Sequence, residues 1–127
     1  MNLMQSVFDC DAPVALVTGS GAPRVGRAIA TELARVGCRL SIHANTSAAE
    51  AKSLSSELEG RFETHSVVNL GAIEQEDVVE QIVQRTVDAF GRIDILVNSA
   101  AIWSPTPLER ITVDEIRRYF NVNTIGT

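Results

Sequence analysis

Aromatic side chains supply only 5% of the 127 residues, so a core must be built from aliphatic side chains and alanine. Two cysteines, Cys10 and Cys38, are too few for a disulfide framework or a zinc site. They imply a reducing, cytoplasmic setting and no bound metal. No basic cluster interrupts the acidic balance of sixteen Asp and Glu against eleven Lys and Arg. A net charge of −5 argues against a nucleic-acid backbone as the main partner. The opening residues, MNLMQSVFDCDAP, have neither the basic start nor the apolar stretch of a signal peptide. No run approaches the length needed to span a membrane. His43 and His65 have no acid or nucleophile nearby in sequence, and both read as structural or exposed.

What is present is one domain's worth of chain with 45% hydrophobic residues. Its organising stretch is PVALVTGSGAPRVGRAIA, residues 13–30. The unbroken apolar run VALV between a proline and a glycine turn suits a strand buried on both faces. A turn of small residues follows, and from Val25 the apolar residues Ala28, Ile29, Leu33 and Val36 recur at helical spacing. Strand, glycine turn and helix can hold a diphosphate, because the helix start offers free N–H groups and a partial positive charge. A tight turn that binds nothing is the plain alternative.

The layout repeats. RLSIH (39–43) predicts a second strand, and Ser47 with Glu50 forms a capping box opening a helix that ends near Gly60. Residues 62–68 predict a third strand. A helix from about Glu74 follows, with an apolar stripe of Val79, Ile82, Val83, Thr86 and Phe90. IDILV (93–97) predicts a fourth strand, then a loop with Pro105 and Pro107, then a helix capped by Thr112 and Glu115. Residues 1–12 read as a short surface leader without an assigned role. The order βαβαβαβα implies an α/β fold, half of a doubly wound parallel sheet in the order 3-2-1-4 between two helical layers. Ligands gather at the strand ends of such sheets. These ends carry the glycine turn, then Ala44 to Ser47, then Asn69 and Leu70, then Asn98 to Ala101.

Thr18-Gly19…Gly26, Asn98-Ser99-Ala100-Ala101 and Asn121-Val-Asn123-Thr124 resemble three segments of the short-chain dehydrogenase/reductase family. These are its TGxxxGxG turn, its NNAG segment and its catalytic-asparagine helix. The resemblance runs from Pro13 to Thr127. Arg24 in the turn and SAAEA after the second strand look most like pteridine-reductase-type members, with the 3-oxoacyl-carrier-protein reductase type close behind. The turn is one residue longer than the family pattern, Pro23 removes one N–H, and Asn69 replaces the usual aspartate. The resemblance implies a Rossmann-type domain over residues 13–127 that binds NAD(P). Thr18, Gly19, Gly21, Val25 and Gly26 would serve the diphosphate, and Asn69 and Leu70 the adenine. Asn98, Ser99, Ala100 and Ala101 would line the cofactor. Asn123 would be catalytic, anchoring a water in the proton relay.

An NAD site needs a carboxylate at the end of the second strand. Ala44 stands there, followed by Asn45, Thr46 and Ser47, so a 2′-phosphate meets no negative charge. Arg24 either pairs with that phosphate or is a solvated surface arginine; the residues leave both open. NADP(H) is the expected cofactor.

The family's Tyr-x-x-x-Lys element is missing. The only tyrosine, Tyr119, is followed four residues later by Asn123. The expectation is the cofactor-binding half of an NADP(H)-dependent oxidoreductase of small carbonyl or imine compounds, inactive alone and part of a homo-oligomer, a dimer or tetramer. The sequence reads as an N-terminal fragment whose fourth strand lacks a neighbour. A non-catalytic dinucleotide-binding sensor is the main rival. A methyltransferase-like enzyme would want an acid after the second strand.

Overall fold

The computed structural model describes residues 3–127 as a four-stranded parallel sheet in the order β3-β2-β1-β4, flanked by helices. The elements are α1 (Leu3–Phe8), β1 (Val14–Val17), α2 (Val25–Arg35), β2 (Arg39–Ala44), α3 (Ala48–Phe62), β3 (Ser66–Leu70), α4 (Glu76–Phe90), β4 (Ile95–Val97) and α5 (Val113–Phe120). A π-helical turn, Asn121–Ile125, continues α5. The doubly wound α/β arrangement and the strand order are those expected from the sequence.

All four residues of β1 are buried, as a central parallel strand requires. Its register sets Val17 against Ile42 on one side and Val97 on the other. The strand ends therefore lie level, and the loops that follow them share one rim. On one face of the sheet, Ala15, Val17, Leu40, Ile42 and Ala44 pack with Ala30 and Ala34 of α2 and with Ala51, Leu54 and Leu58 of α3. Small α2 residues let that helix sit close to the strands, in keeping with the scarcity of aromatics. The opposite face meets α4 through a polar seam. Asn69 Nδ2–H donates to Ser41 Oγ at 2.9 Å, and Ser41 and Thr86 hydroxyls lie 2.7 Å apart. Thr86 in turn donates to the Ile82 carbonyl at 2.7 Å. The seam is directional, because each hydroxyl accepts from one neighbour and donates to the next.

Some boundaries and caps differ from the expectation. The α3 helix runs through Gly60 to Phe62, because Phe62 extends the stripe of Ala51, Leu54 and Leu58 against the core. Glu63, at φ 53°, ends it. The third strand accordingly starts at Ser66 and continues to Leu70. Ser47 occupies the N-cap of α3, but its side chain makes no cap bond. Thr112 does cap α5, accepting from the Glu115 N–H at 3.2 Å, whereas the Glu115 carboxylate turns to Thr106 and Tyr119. Finally, β4 begins at Ile95, since Asp94 is engaged by the Val14 N–H and by Arg92. The leader contributes α1, whose Met4 touches the core and whose Phe8 carbonyl accepts from Arg92. Both cysteines are free, and no helix among the described residues is long and apolar enough to cross a membrane.

Candidate nucleotide groove

Thr18 joins the ends of β1 and β4. Its N–H donates to the Val97 carbonyl at 3.0 Å, and its Oγ1 accepts the N–H groups of Ser99 and Ala100, each at 3.1 Å. The side chain expected to meet the cofactor thus fixes the start of the segment after β4. Gly19 follows at φ +66°, and a Cβ there would lie 2.6 Å from Ala100 Cα. Only glycine lets the two loops touch at this point.

The turn between β1 and α2 is held from inside. Ser20 is fully buried and donates to the Val17 carbonyl at 2.7 Å. Gly21 was expected at the cofactor, but it faces inward: a Cβ would lie 2.7 Å from that of Ala44 and 2.9 Å from that of Ala51. Gly26 lets α2 dock on the turn, since a Cβ there would lie 2.6 Å from the Gly19 carbonyl oxygen. Arg27 reaches back to the carbonyls of Gly21 and Glu50. Val25 and Gly26 are the first residues of α2, where N–H groups have no intrahelical acceptor.

These loops enclose a groove of about 430 Å³, within the range of small-molecule sites. Nine residues expected from the sequence line it: Gly19, Arg24 and Val25 from the first turn, Asn45, Thr46 and Ser47 after β2, and Ser99, Ala100 and Ala101 after β4. Thr18, Gly21, Gly26, Asn69, Leu70, Asn98 and Asn123 are not among the lining residues. Asn69 is buried, its Nδ2 engaged by Ser41 and its Oδ1 without a partner among the described residues. The amide nitrogen is thus used in the seam under α4, and the carbonyl oxygen, the atom expected to meet adenine, carries no hydrogen bond from the described residues. Ala44 is also packed inward, so Asn45 is the first side chain after β2 to reach the groove.

Sequence reasoning missed His43, Ile73, Glu74, Ile102, Arg118 and Val122, which line the groove together with Trp103. Ile73 and Glu74 come from the turn after β3, and Arg118 and Val122 from α5 and the π-helical turn. Strand-end logic pointed to the first pair's turn, but nothing in the pattern marked the second pair. Glu74 is the one carboxylate on the lining, which also carries Arg24 and Arg118. His43 is buried, and loss of water lowers its pKa from the ordinary 6.5 even though its bond to the Gly71 carbonyl works the other way.

Asn123 lies in the π-helical turn and grips both backbone groups of Ile102 on the groove's wall. Its Oδ1 accepts from the Ile102 N–H at 2.8 Å, and its Nδ2 donates to the Ile102 carbonyl at 3.0 Å. The Tyr119 hydroxyl donates to Glu115 at 2.7 Å.

The sequence profile of the family described as short chain dehydrogenase matches residues 13–127. Versicolorin reductase 1 of Dothistroma septosporum is 34% identical over 119 residues, covering 94% of this chain and 44% of that protein. Hydroxynaphthalene reductase arp2 of Aspergillus fumigatus is 34% identical over 113 residues, covering 87% of this chain and 40% of its own. The chain thus spans less than half the length of these relatives. A short chain dehydrogenase from Burkholderia cenocepacia J2315, solved in complex with NADP, superimposes with a TM-score of 0.83 at 32% identity, over 90% of this chain and 46% of that one. A dehydrogenase/reductase from Sinorhizobium meliloti 1021 gives a TM-score of 0.86 at 32% identity, over 97% of this chain and 48% of that one.

Proposed function

The chain belongs to the short chain dehydrogenase family, and on that premise we propose that it is the cofactor-binding part of an NADP(H)-dependent oxidoreductase. The observation that carries this reading is the convergence of three loops, far apart in sequence, on one groove whose β2 side presents Asn45, Thr46 and Ser47 without a carboxylate. When bound, a nicotinamide nucleotide supplies or accepts a hydride; the second reactant is a small carbonyl or imine compound.

The chain's own residues divide the work of binding. The Val25 and Gly26 N–H groups at the start of α2 receive the diphosphate. Arg24 and the polar side chains after β2 receive the 2′-phosphate, the arginine through charge-assisted hydrogen bonds. Ser99, Ala100 and Ala101, fixed by Thr18, present a flat wall of small residues. Asn123, by gripping Ile102, holds the loop that continues this wall, and its turn is where the proton relay would be anchored. Residues 13–127 form the cofactor domain, with the Tyr-x-x-x-Lys half following in the native product. Arg24 and residues 47–51 favour a pteridine-reductase-like member. The product is a cytoplasmic homo-oligomer, a dimer or tetramer.

Fluorescence titration of the native gene product with NADPH and NADH tests the proposal. NADPH binds more tightly by about tenfold or more, equivalent to ~1.4 kcal/mol. Asn45→Asp, which sets a carboxylate beside the 2′-phosphate, removes that preference. Tighter binding of NADH, or of neither, overturns the proposal.

A further inference from the structure

We propose that His43 is the positioning residue of the nucleotide groove, its neutral ring clamping the glycine turn after β1 to the turn after β3. The proposal rests on the reading of the groove as a nicotinamide-nucleotide site. Three consecutive turn residues are each bonded to this one histidine. The Gly19 N–H donates to His43 Nδ1 at 3.1 Å. The His43 N–H donates to Ser20 Oγ at 3.2 Å, and the Gly21 N–H donates to the His43 carbonyl at 3.0 Å. On the other side of the ring, Nε2 lies 2.8 Å from the Gly71 carbonyl oxygen.

The tautomer follows from the partners. An amide N–H can only donate, so Nδ1 must carry a lone pair, and the ring proton sits on Nε2, where it donates to Gly71. A strand residue at this position needs no polarity to pair in the sheet, as its neighbour Ile42 illustrates. The polar ring has a different use, which is to satisfy Gly19. That glycine sits at φ +66° against Ala100, so its N–H direction and the contact between the two cofactor loops are set together. With Nδ1 in place, the Gly19 N–H is directed to the ring.

The charged groups on the same lining are Arg24, Glu74 and Arg118, whereas the ring's two nitrogens are engaged by Gly19 and Gly71. Arg27, beside the turn, is tied to the Gly21 and Glu50 carbonyls. Protonation of Nδ1 would set a donor against the Gly19 donor, so the clamp exists only in the neutral ring. Burial, which lowers the ring's pKa, keeps it in that form.

Two substitutions separate positioning from packing. In His43→Asn, the side-chain oxygen falls where Nδ1 was and can still accept from Gly19. In His43→Gln, the amide falls where Nε2 was, keeping Gly71 and losing Gly19. On the native gene product, both variants lose comparable thermal stability. NADPH affinity is retained within about threefold in His43→Asn, and falls by about tenfold or more in His43→Gln, the effect of one buried N–H left unpaired. Nitrogen-15 shifts of the unsubstituted protein show an unprotonated Nδ1 and a protonated Nε2 at neutral pH, without any ligand. Equal weakening in both variants, or a ring protonated at Nδ1, overturns the proposal. Failure of the unsubstituted protein to bind NADPH while its ring shows the stated tautomer would overturn the nucleotide reading and, with it, the positioning role. The clamp's geometry alone would then stand.

Discussion

At the scale of single residues, the groove depends on groups that tie its loops to one another. Thr18→Val keeps the shape but leaves the Ser99 and Ala100 N–H groups without their acceptor. It costs about 1–3 kcal/mol, measured by denaturant unfolding, and weakens NADPH binding; unchanged stability would contradict that role. Gly19→Ala has a larger effect, because it meets both a left-handed φ and a backbone neighbour at 2.6 Å. His43 makes stability depend on pH. Its folded-state pKa lies below the unfolded value of 6.5, so its contribution is complete above that value and is lost as the pH falls toward the lowered pKa. Unfolding midpoints that drop over this window in the native protein, and less in His43→Asn, are the expected result. Cys38 is buried, and loss of water, helped by the nearby Asp94 and Cys10, pushes its thiol up. Alkylation at neutral pH therefore modifies Cys10 first, which peptide mass mapping checks. The site residues legible in the sequence were those whose backbones form the loops. Gly21, Ala44 and Asn69 are packed inward, and sequence position along a strand end does not say to which side a side chain turns. That is decided by packing against α3 and by the polar seam under α4.

At the scale of elements, strand and helix identities followed from periodicity, and the boundaries that moved did so for tertiary reasons. Gly60 looks like a helix stop, yet Leu58 and Phe62 bind the last turn of α3 to the core, outweighing the roughly 1 kcal/mol that glycine costs a helix. The capping box at Ser47 has the right letters, but its hydroxyl makes no cap bond. Thr112 has the same letters and does cap. The short β4 is set from below by Asp94, where the Arg92 guanidinium and the Val14 N–H outweigh burial and hold the carboxyl below its usual range. The π-helical turn Asn121–Ile125 continues α5 and carries Asn123, whose amide holds the Ile102 backbone. The His43 clamp and the contributions of Ile73, Arg118 and Val122 could not be read in advance. They arise from residues far from the turn in sequence, on β2, the turn after β3, α5 and the π-helical turn, brought together only by the tertiary fold.

At the scale of the whole molecule, the sheet ends on one side at β4, which pairs only with β1. Leu96 is 57% exposed there, and Trp103, Leu108 and Phe120 are exposed beyond it. An unpaired edge beside apolar side chains is a template for association. The 127-residue chain expressed alone is expected to elute above monomer size and to broaden with concentration; a sharp monomeric peak at every concentration would contradict this. The direct test of the central claim is a crystal structure of the native gene product with NADPH. It should place the diphosphate against the Val25 and Gly26 amides, with the Gly19 N–H still on His43. A diphosphate bound elsewhere, or a turn closed by Pro23 or by Arg24 folded inward, would contradict the account.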